Sequence, residues 1–159
     1  MTWESDIEEL KKREKFAEKM GGEEKLLKQK ENKRLNVRER IELLLDKNTF
    51  HEIGKIAGKA VYNDEGELIE FKPSNFVMGR GLIEGRNVVV GGDDFTVRGG
   101  AADASIAQKQ IMSEQLANEY RLPLIRLIEG TGGGGSVKSL DMEERTYIPG
   151  NPGWNWVVE

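Results

Sequence analysis

The chain has 159 residues, of which 33% are charged and 37% hydrophobic, with a net charge of −4 and no cysteine. That balance provides no global basic field for nucleic acid or an anionic membrane, and the missing thiols exclude disulfides, thiolate nucleophiles and Cys-based zinc or iron–sulfur sites. No stretch approaches the ~20 apolar residues of a membrane span and the N-terminus lacks an apolar signal-type core, so the expectation is a cytoplasmic protein with no metal, nucleic-acid or membrane partner.

Charge of both signs is concentrated in residues 4–46, where the pattern is helical. Ile7, Leu10, Phe16, Met20 and Leu27 recur at mostly helical spacing, with Ser5 as the expected N-cap and Glu8 as its capping-box partner. Gly21 and Gly22 interrupt this run, which predicts a bend and a second helix over residues 23–33. Asn36 is placed to cap a third helix, with Val37, Ile41, Leu44 and Leu45 on one face and Arg38, Glu39, Arg40 and Glu42 facing away.

From residue 50 the period shortens and strands replace helices. Residues 50–53 and 59–62 are short candidates, followed by the turn Asn63-Asp64-Glu65-Gly66 and a polar stretch ending at Pro73. Residues 76–83 and 87–90 flank Glu84-Gly85-Arg86, which is hairpin spacing with Gly supplying the positive φ. A helix is expected over residues 101–120 with Ile106, Met112, Leu116 and Tyr120 as its buried stripe, and a fully buried strand over 122–128. A ββα unit followed by a further strand predicts an α/β layered fold. The closing Trp154-Asn155-Trp156-Val157-Val158 resembles the start of a helix that stops, so the expectation is the front of a longer protein; the alternative is a short terminal helix covering the core.

Gly130-Thr131-Gly132-Gly133-Gly134-Gly135 satisfies G-x-G-x-x-G after a predicted strand. A dinucleotide reading fails because no helix is signalled next and Pro149 and Pro152 break the sequence beyond. A P-loop fails because Ser136 stands where Lys is required. Tandem glycines at a strand end instead let a substrate approach the backbone and meet its N–H groups, as an oxyanion hole does, or they form a flexible linker. His51 has no nucleophile motif beside it and reads as a structural or surface residue. Asp93 and Asp94, adjacent and projecting oppositely, make no acid/base pair; they are suited to capping the next turn.

Several motifs together resemble one family. Val37-Arg38-Glu39-Arg40-Ile41-Glu42-Leu43-Leu44-Leu45-Asp46 is similar to A-R-E-R-I-x-L-L-L-D near the start of the carboxyltransferase subunits of propionyl-, methylcrotonyl- and related acyl-CoA carboxylases. Phe50-His51-Glu52 follows as F-x-E, the run from Gly79 to Arg86 resembles G-x-G-x-I-x-G-R, and Asp94-Phe95-Thr96-Val97-Arg98-Gly99-Gly100 resembles D-F-T-V-x-G-G. Lys109 falls where those proteins carry a Lys on the succeeding helix. The resemblance covers residues 34–135. It departs at Gly130-Thr131-Gly132-Gly133-Gly134, where the family reads D-S-G-G-A, so the Asp is lost and the glycines are kept.

The resemblance implies an incomplete crotonase/ClpP-like fold over residues 49–159, preceded by a charged helical segment at 1–48. It implies carboxyl transfer from carboxybiotin, carried on a separate protein or domain, to an acyl-CoA through a thioester enolate. Gly132, Gly133 and Gly134 are the expected backbone donors, and Arg98, Gly99, Gly100 and Ala101 the expected wall of the CoA site. The implied partners are biotin carboxylase and biotin carrier components, the remaining carboxyltransferase domain and further copies of the chain. A decarboxylase running the same chemistry in reverse, or a non-catalytic assembly module, are the alternatives.

Overall fold

The computed structural model describes residues 3–100 and 106–130. Within them the chain runs α1 (Glu4–Glu18), α2 (Glu23–Glu31), α3 (Val37–Leu44), β1 (His51–Ile53), β2 (Gly58–Tyr62), β3 (Leu68–Pro73), β4 (Phe76–Ile83), β5 (Arg86–Asp93), α4 (Ala107–Tyr120) and β6 (Leu124–Leu127). Four strands form one mixed sheet in the order β1-β4-β5-β6, while β2 and β3 make a separate ribbon. β4 pairs antiparallel with β1 and β5, and β5 pairs parallel with β6 across the α4 connection that a parallel pair requires.

The β4–β5 hairpin is the local organiser. Its turn is the residue pair Glu84 and Gly85, with φ of 49° and 75°, so both central positions are left-handed as the twist of a tight hairpin demands. Arg86, expected in the turn, already belongs to β5. The two turn amides donate to the Asp46 carboxylate at 3.0 and 2.8 Å, and the Asp46 amide donates to the Leu82 carbonyl at 2.8 Å. The end of the α3 segment is thereby pinned to the hairpin, which explains physically why those two motifs occur together.

Helix α3 begins as the sequence predicts. The Asn36 side chain accepts from the Glu39 amide and Glu39 reaches back to the Asn36 amide, a full capping box. Val37, Ile41 and Leu45 are buried against Val77, Val88 and Val90 of the sheet. Glycines permit this approach: a Cβ at Gly92 would lie 2.5 Å from Val37 Cγ2, and one at Gly81 would lie 2.5 Å from a Leu45 methyl. The opposite sheet face carries Phe76, Met78 and Val89, all fully buried, and α4 packs there. Arg126 of β6 lies over the Phe76 ring at 4.8 Å and reaches Glu114 of α4 at 3.4 Å. The result is a helix–sheet–helix sandwich.

Several expectations are corrected. Helix α1 starts at Glu4 behind Trp3 with no side-chain cap, so Ser5 lies inside its first turn. Met20 is buried, but Ile7, Leu10 and Leu27 are exposed; Ala17 and Gln29 are the inward residues instead. The cause is that α1 crosses the small β2–β3 ribbon, where Lys12 donates to the Leu68 carbonyl at 2.6 Å and Arg13 bonds Glu9 and Tyr62, so little apolar surface is there to cover it. Strand β3 occupies the stretch expected to be polar, and only Leu68 and Phe71 of its six residues are buried. On α4, Lys109, Ser113, Glu114 and Ala117 are buried, whereas of the predicted stripe Met112 and Tyr120 are exposed and Ile106 and Leu116 half-buried. β6 is half-buried throughout rather than fully buried, since only β5 borders it among the described residues. The expected helix start at residues 101–105 and the Trp154 and Trp156 segment lie outside the described residues.

Arg38 and Arg40 do not simply face away. Arg38 makes a two-pronged ion pair with Glu52 at 2.7 and 2.9 Å, and Arg40 reaches Glu129 at 3.2 Å. Each tethers α3 to a different part of the sheet. Lys109 of α4, 6% exposed, packs beside Gly54 just after β1, in the field of Glu52 and Arg38. Burial pushes its ammonium down to about 8, Glu52 opposing the shift and Arg38 adding to it.

Two outcomes follow from this packing. The Gly21 amide donates to Thr96 Oγ1 at 2.9 Å, and a Cβ there would overlap the Thr96 carbonyl, so Gly21→Ala is expected to cost about 1–3 kcal/mol. A urea midpoint equal to that of the parent chain would refute the contact. For Lys109, the unfolded chain holds the proton up to its ordinary value near 10.5, whereas the folded chain releases it near 8. Between those limits the unfolded state binds more protons, so stability rises with pH, and the penalty is fully present below the window. Lys109→Met is expected to flatten that rise; denaturation midpoints measured from pH 7 to 10.5 check it.

Candidate functional site

The site forms where β5 ends. Asp94, 2% exposed, accepts from the Thr96 amide at 2.9 Å and from the Thr96 hydroxyl at 2.6 Å, while its own amide donates to the Asn75 carbonyl at 2.7 Å. It caps the turn, as its position suggested. The Thr96 hydroxyl oxygen in turn accepts the Gly21 amide, so one side chain joins the sheet end to the α1–α2 bend. Burial raises the Asp94 carboxyl above its usual range, with the Thr96 bonds pulling the other way. Asp93 is likewise raised by burial, and it accepts the Glu129 amide at 3.2 Å, which ties the end of β5 to the end of β6.

Beyond Thr96 the backbone enters a left-handed turn over Arg98–Gly100, with φ of 53°, 64° and 68°. A left-handed φ at Arg98 carries strain that glycine would not, and such strain gathers at functional sites. Gly100 is required for a second reason, because a Cβ on it would overlap the Glu129 carbonyl. A Cβ on Gly130 would stand 3.6 Å from the Gly100 carbonyl. The predicted wall residues Arg98, Gly99 and Gly100 are thus brought against the point where the Gly-rich run begins. Ala101, Gly132, Gly133 and Gly134 lie outside the described residues. This junction sits at the carboxyl ends of the parallel pair β5 and β6, where open α/β sheets receive ligands.

Two clefts flank the Gly21–Thr96 contact. The larger, about 910 Å³, is lined by Lys19, Lys25, Lys59, Lys72 and Arg98 with Phe16, Phe71 and Val97 as apolar walls, and Glu70 as the one carboxylate among its described lining residues. Ser74 lines it as well, its hydroxyl buried with no hydrogen-bond partner. The smaller, about 350 Å³, lies between α2 and the 95–99 loop. Cations outnumber carboxylates in both, and a low-dielectric wall strengthens their field toward an anion.

The sequence pointed to Arg98, Gly99 and Gly100 but missed the lysines and the α2 side of the site. Their signal was hidden in a charged helical segment where alternating signs read as a solvated face. His51 is exposed on β1, away from this junction, with Arg80 as its pairing partner across the strands. Among the described residues no group of His, Asp and Glu is arranged to hold a metal ion, and no helix is long and apolar enough to cross a membrane.

The carboxyl transferase domain family model matches residues 28–143. The carboxyltransferase subunit of propionyl-CoA carboxylase from Haloferax mediterranei is 32% identical over 83% of this chain and 26% of its own length. The alpha subunit of methylmalonyl-CoA decarboxylase from Veillonella parvula is 31% identical over 70% of this chain and 22% of its own. Among solved structures, the hexameric transcarboxylase 12S with methylmalonyl-coenzyme A and methylmalonic acid bound superposes with a TM-score of 0.69 at 28% identity, covering 83% of this chain and 26% of that one. The chain therefore spans about a quarter of the length of these relatives. The layered α/β architecture is that of the crotonase-like carboxyltransferases, in part. The match over most of the chain, with the β-sheet junction and its flanking loops inside it, establishes that this chain belongs to the carboxyl transferase domain family.

Proposed function

We propose that this chain supplies the acyl-CoA-facing front portion of a carboxyltransferase that moves a carboxyl group between carboxybiotin and an acyl-CoA through a thioester enolate. The observation that carries this reading is the apposition of the left-handed Arg98–Gly100 turn, whose Arg98 and Gly99 line two cationic clefts, to Glu129 and Gly130, where the glycine run of the sequence begins. Loss of a proton next to a thioester leaves negative charge on the thioester oxygen. Fixed backbone N–H donors stabilise that charge without reorganising, and one such donor is worth about 10²–10³ in rate. Gly132, Gly133 and Gly134 are the proposed donors, and Arg98, Gly99, Gly100 and Ala101 the proposed wall for the CoA moiety.

Biotin enters this reading as a co-substrate carried by a separate protein or domain, and it supplies the activated carboxyl group. The residues of this chain bind and orient the acyl-CoA. Biotin carboxylase and carrier components, a second carboxyltransferase domain and further copies of the chain are the proposed partners, in the cytoplasm. The chain is proposed to comprise a charged helical segment over residues 1–48 and a partial crotonase-like carboxyltransferase domain over residues 49–159. A decarboxylase direction is the second reading, favoured by the similarity to the Veillonella parvula protein, because the same enolate forms when the carboxyl group leaves.

The test follows the backbone amides. Titrating the isotopically labelled chain with propionyl-CoA is expected to shift the amide resonances of Gly99, Gly100 and Gly132 to Gly134 together; shifts confined to other parts of the molecule would sink the reading. Gly100→Ala forces a side chain into a left-handed φ and against Glu129, at a cost of about 1–3 kcal/mol of stability, and the displaced turn is expected to bind the acyl-CoA about tenfold more weakly by calorimetry.

A further inference from the structure

An apolar stripe on α1 stands uncovered among the described residues. Trp3, Ile7 and Leu10 are 76%, 47% and 44% exposed, and their spacing of four and then three places them along one side of the helix, as in a coiled-coil seam. The ribbon lies against another side, where Glu9 and Arg13 bond Tyr62 and Lys12 bonds the Leu68 carbonyl. Ala17, two steps further along the same spacing, is buried, so the seam runs from the interior out into solvent. On α2, Leu27 is 60% exposed and lies about 200° around the helix from the buried Gln29. Leu35, just past that helix, is exposed as well. A tryptophan at the head of an open seam is the kind of side chain that anchors a protein interface.

The charges on the two helices select what covers the seam. From Glu4 to Leu10, α1 carries Glu4, Asp6, Glu8 and Glu9 and no basic residue, whereas the end of α2 and the residues after it carry Lys28, Lys30, Lys33 and Arg34 against Glu31 alone. Because α2 opens with Glu23 and Glu24, a parallel approach would set acid against acid. An antiparallel approach sets the acidic start of α1 on the basic end of α2 and brings Leu10 toward Leu27, and the two helix dipoles favour the same sense. Seam and Leu27 are exposed together in the structure, so one chain does not make this match with itself. It is open to a second chain. We propose that the α1 seam of Trp3, Ile7 and Leu10 docks antiparallel on the outer face of α2 of a second copy of this chain, around Leu27 and Leu35. A two-fold axis makes the contact twice and closes it as a dimer. This gives a surface to the association of copies proposed above and requires nothing of the acyl-CoA chemistry.

Sedimentation equilibrium of the full chain is expected to show a concentration-dependent dimer. A chain still monomeric at about 100 µM leaves the seam to some other protein and overturns the proposal, and that measurement depends on no variant folding. Ile7→Glu and Leu27→Glu, both at exposed positions, are each expected to weaken dimerisation about tenfold, with circular dichroism checking that the helices persist. Charge reversal identifies the partner helix. Glu4→Lys with Asp6→Lys, and Lys30→Glu with Lys33→Glu, should each weaken the dimer about fivefold, and the four changes combined should return it to within about twofold of the parent. A dimer that tolerates Leu27→Glu pairs two α1 seams instead and overturns the assignment, as does a combination no tighter than its weaker half. The acyl-CoA reading is tested separately. A chain that dimerises through these faces while propionyl-CoA leaves the Gly100 amide unmoved keeps the interface and loses the thioester reading, whereas a monomer whose Gly100 responds loses the interface alone.

Discussion

The arrangement of the site depends on a single buried carboxylate. Asp94 receives the amide and the hydroxyl of Thr96, and that hydroxyl oxygen is the acceptor for the Gly21 amide. Without Asp94 the Thr96 donors would be buried and unpaired, a loss of about 1–3 kcal/mol. Because the same residue fixes the exit of β5 and the α1–α2 bend, the two clefts and the Arg98–Gly100 turn inherit their positions from it. An acid group used in this way bears on substrate geometry without needing to exchange a proton.

A second constraint acts from the sheet. Asp93 holds the Glu129 amide, Arg40 holds the Glu129 carboxylate, and Gly100 leaves room for the Glu129 carbonyl. One residue just past β6 is therefore gripped from β5, from α3 and from the loop. The strained φ at Arg98 fits the same picture, being held by the Asp94 turn on one side and the Glu129 contact on the other.

Much of this was legible in the sequence where one local rule decides the outcome. Asn36 with Glu39 specifies a capped helix, and Gly85 specifies a tight hairpin, because few other residues satisfy those geometries. The failures share a cause. β3 is a ribbon strand with alternation too weak to register, and the stripe of α1 was read as if a large core awaited it, whereas the helix crosses a narrow ribbon. The inward residues of α4 include Lys109, Ser113 and Glu114, which no hydrophobic period reveals. For the site, glycines and Arg98 stood out because their conformational roles are encoded in residue type. The burial of Gln29 is not legible, since a glutamine within a charged helix looks solvated, and the ion pairs of Arg38 and Arg40 are hidden for the same reason.

The bare backbone at Gly81 and Gly92 sets how near α3 lies to the sheet, since Leu45 and Val37 occupy the space side chains would otherwise fill. These glycines act as spacers of zero thickness. A methyl added at either would lift the helix, and the helix carries Arg38 and Arg40 as arms reaching Glu52 and Glu129. The thickness of the core and the clamp on the strand end are thus one mechanical dimension, so that a change in the hydrophobic interior is transmitted through Arg40 to the chain at Glu129.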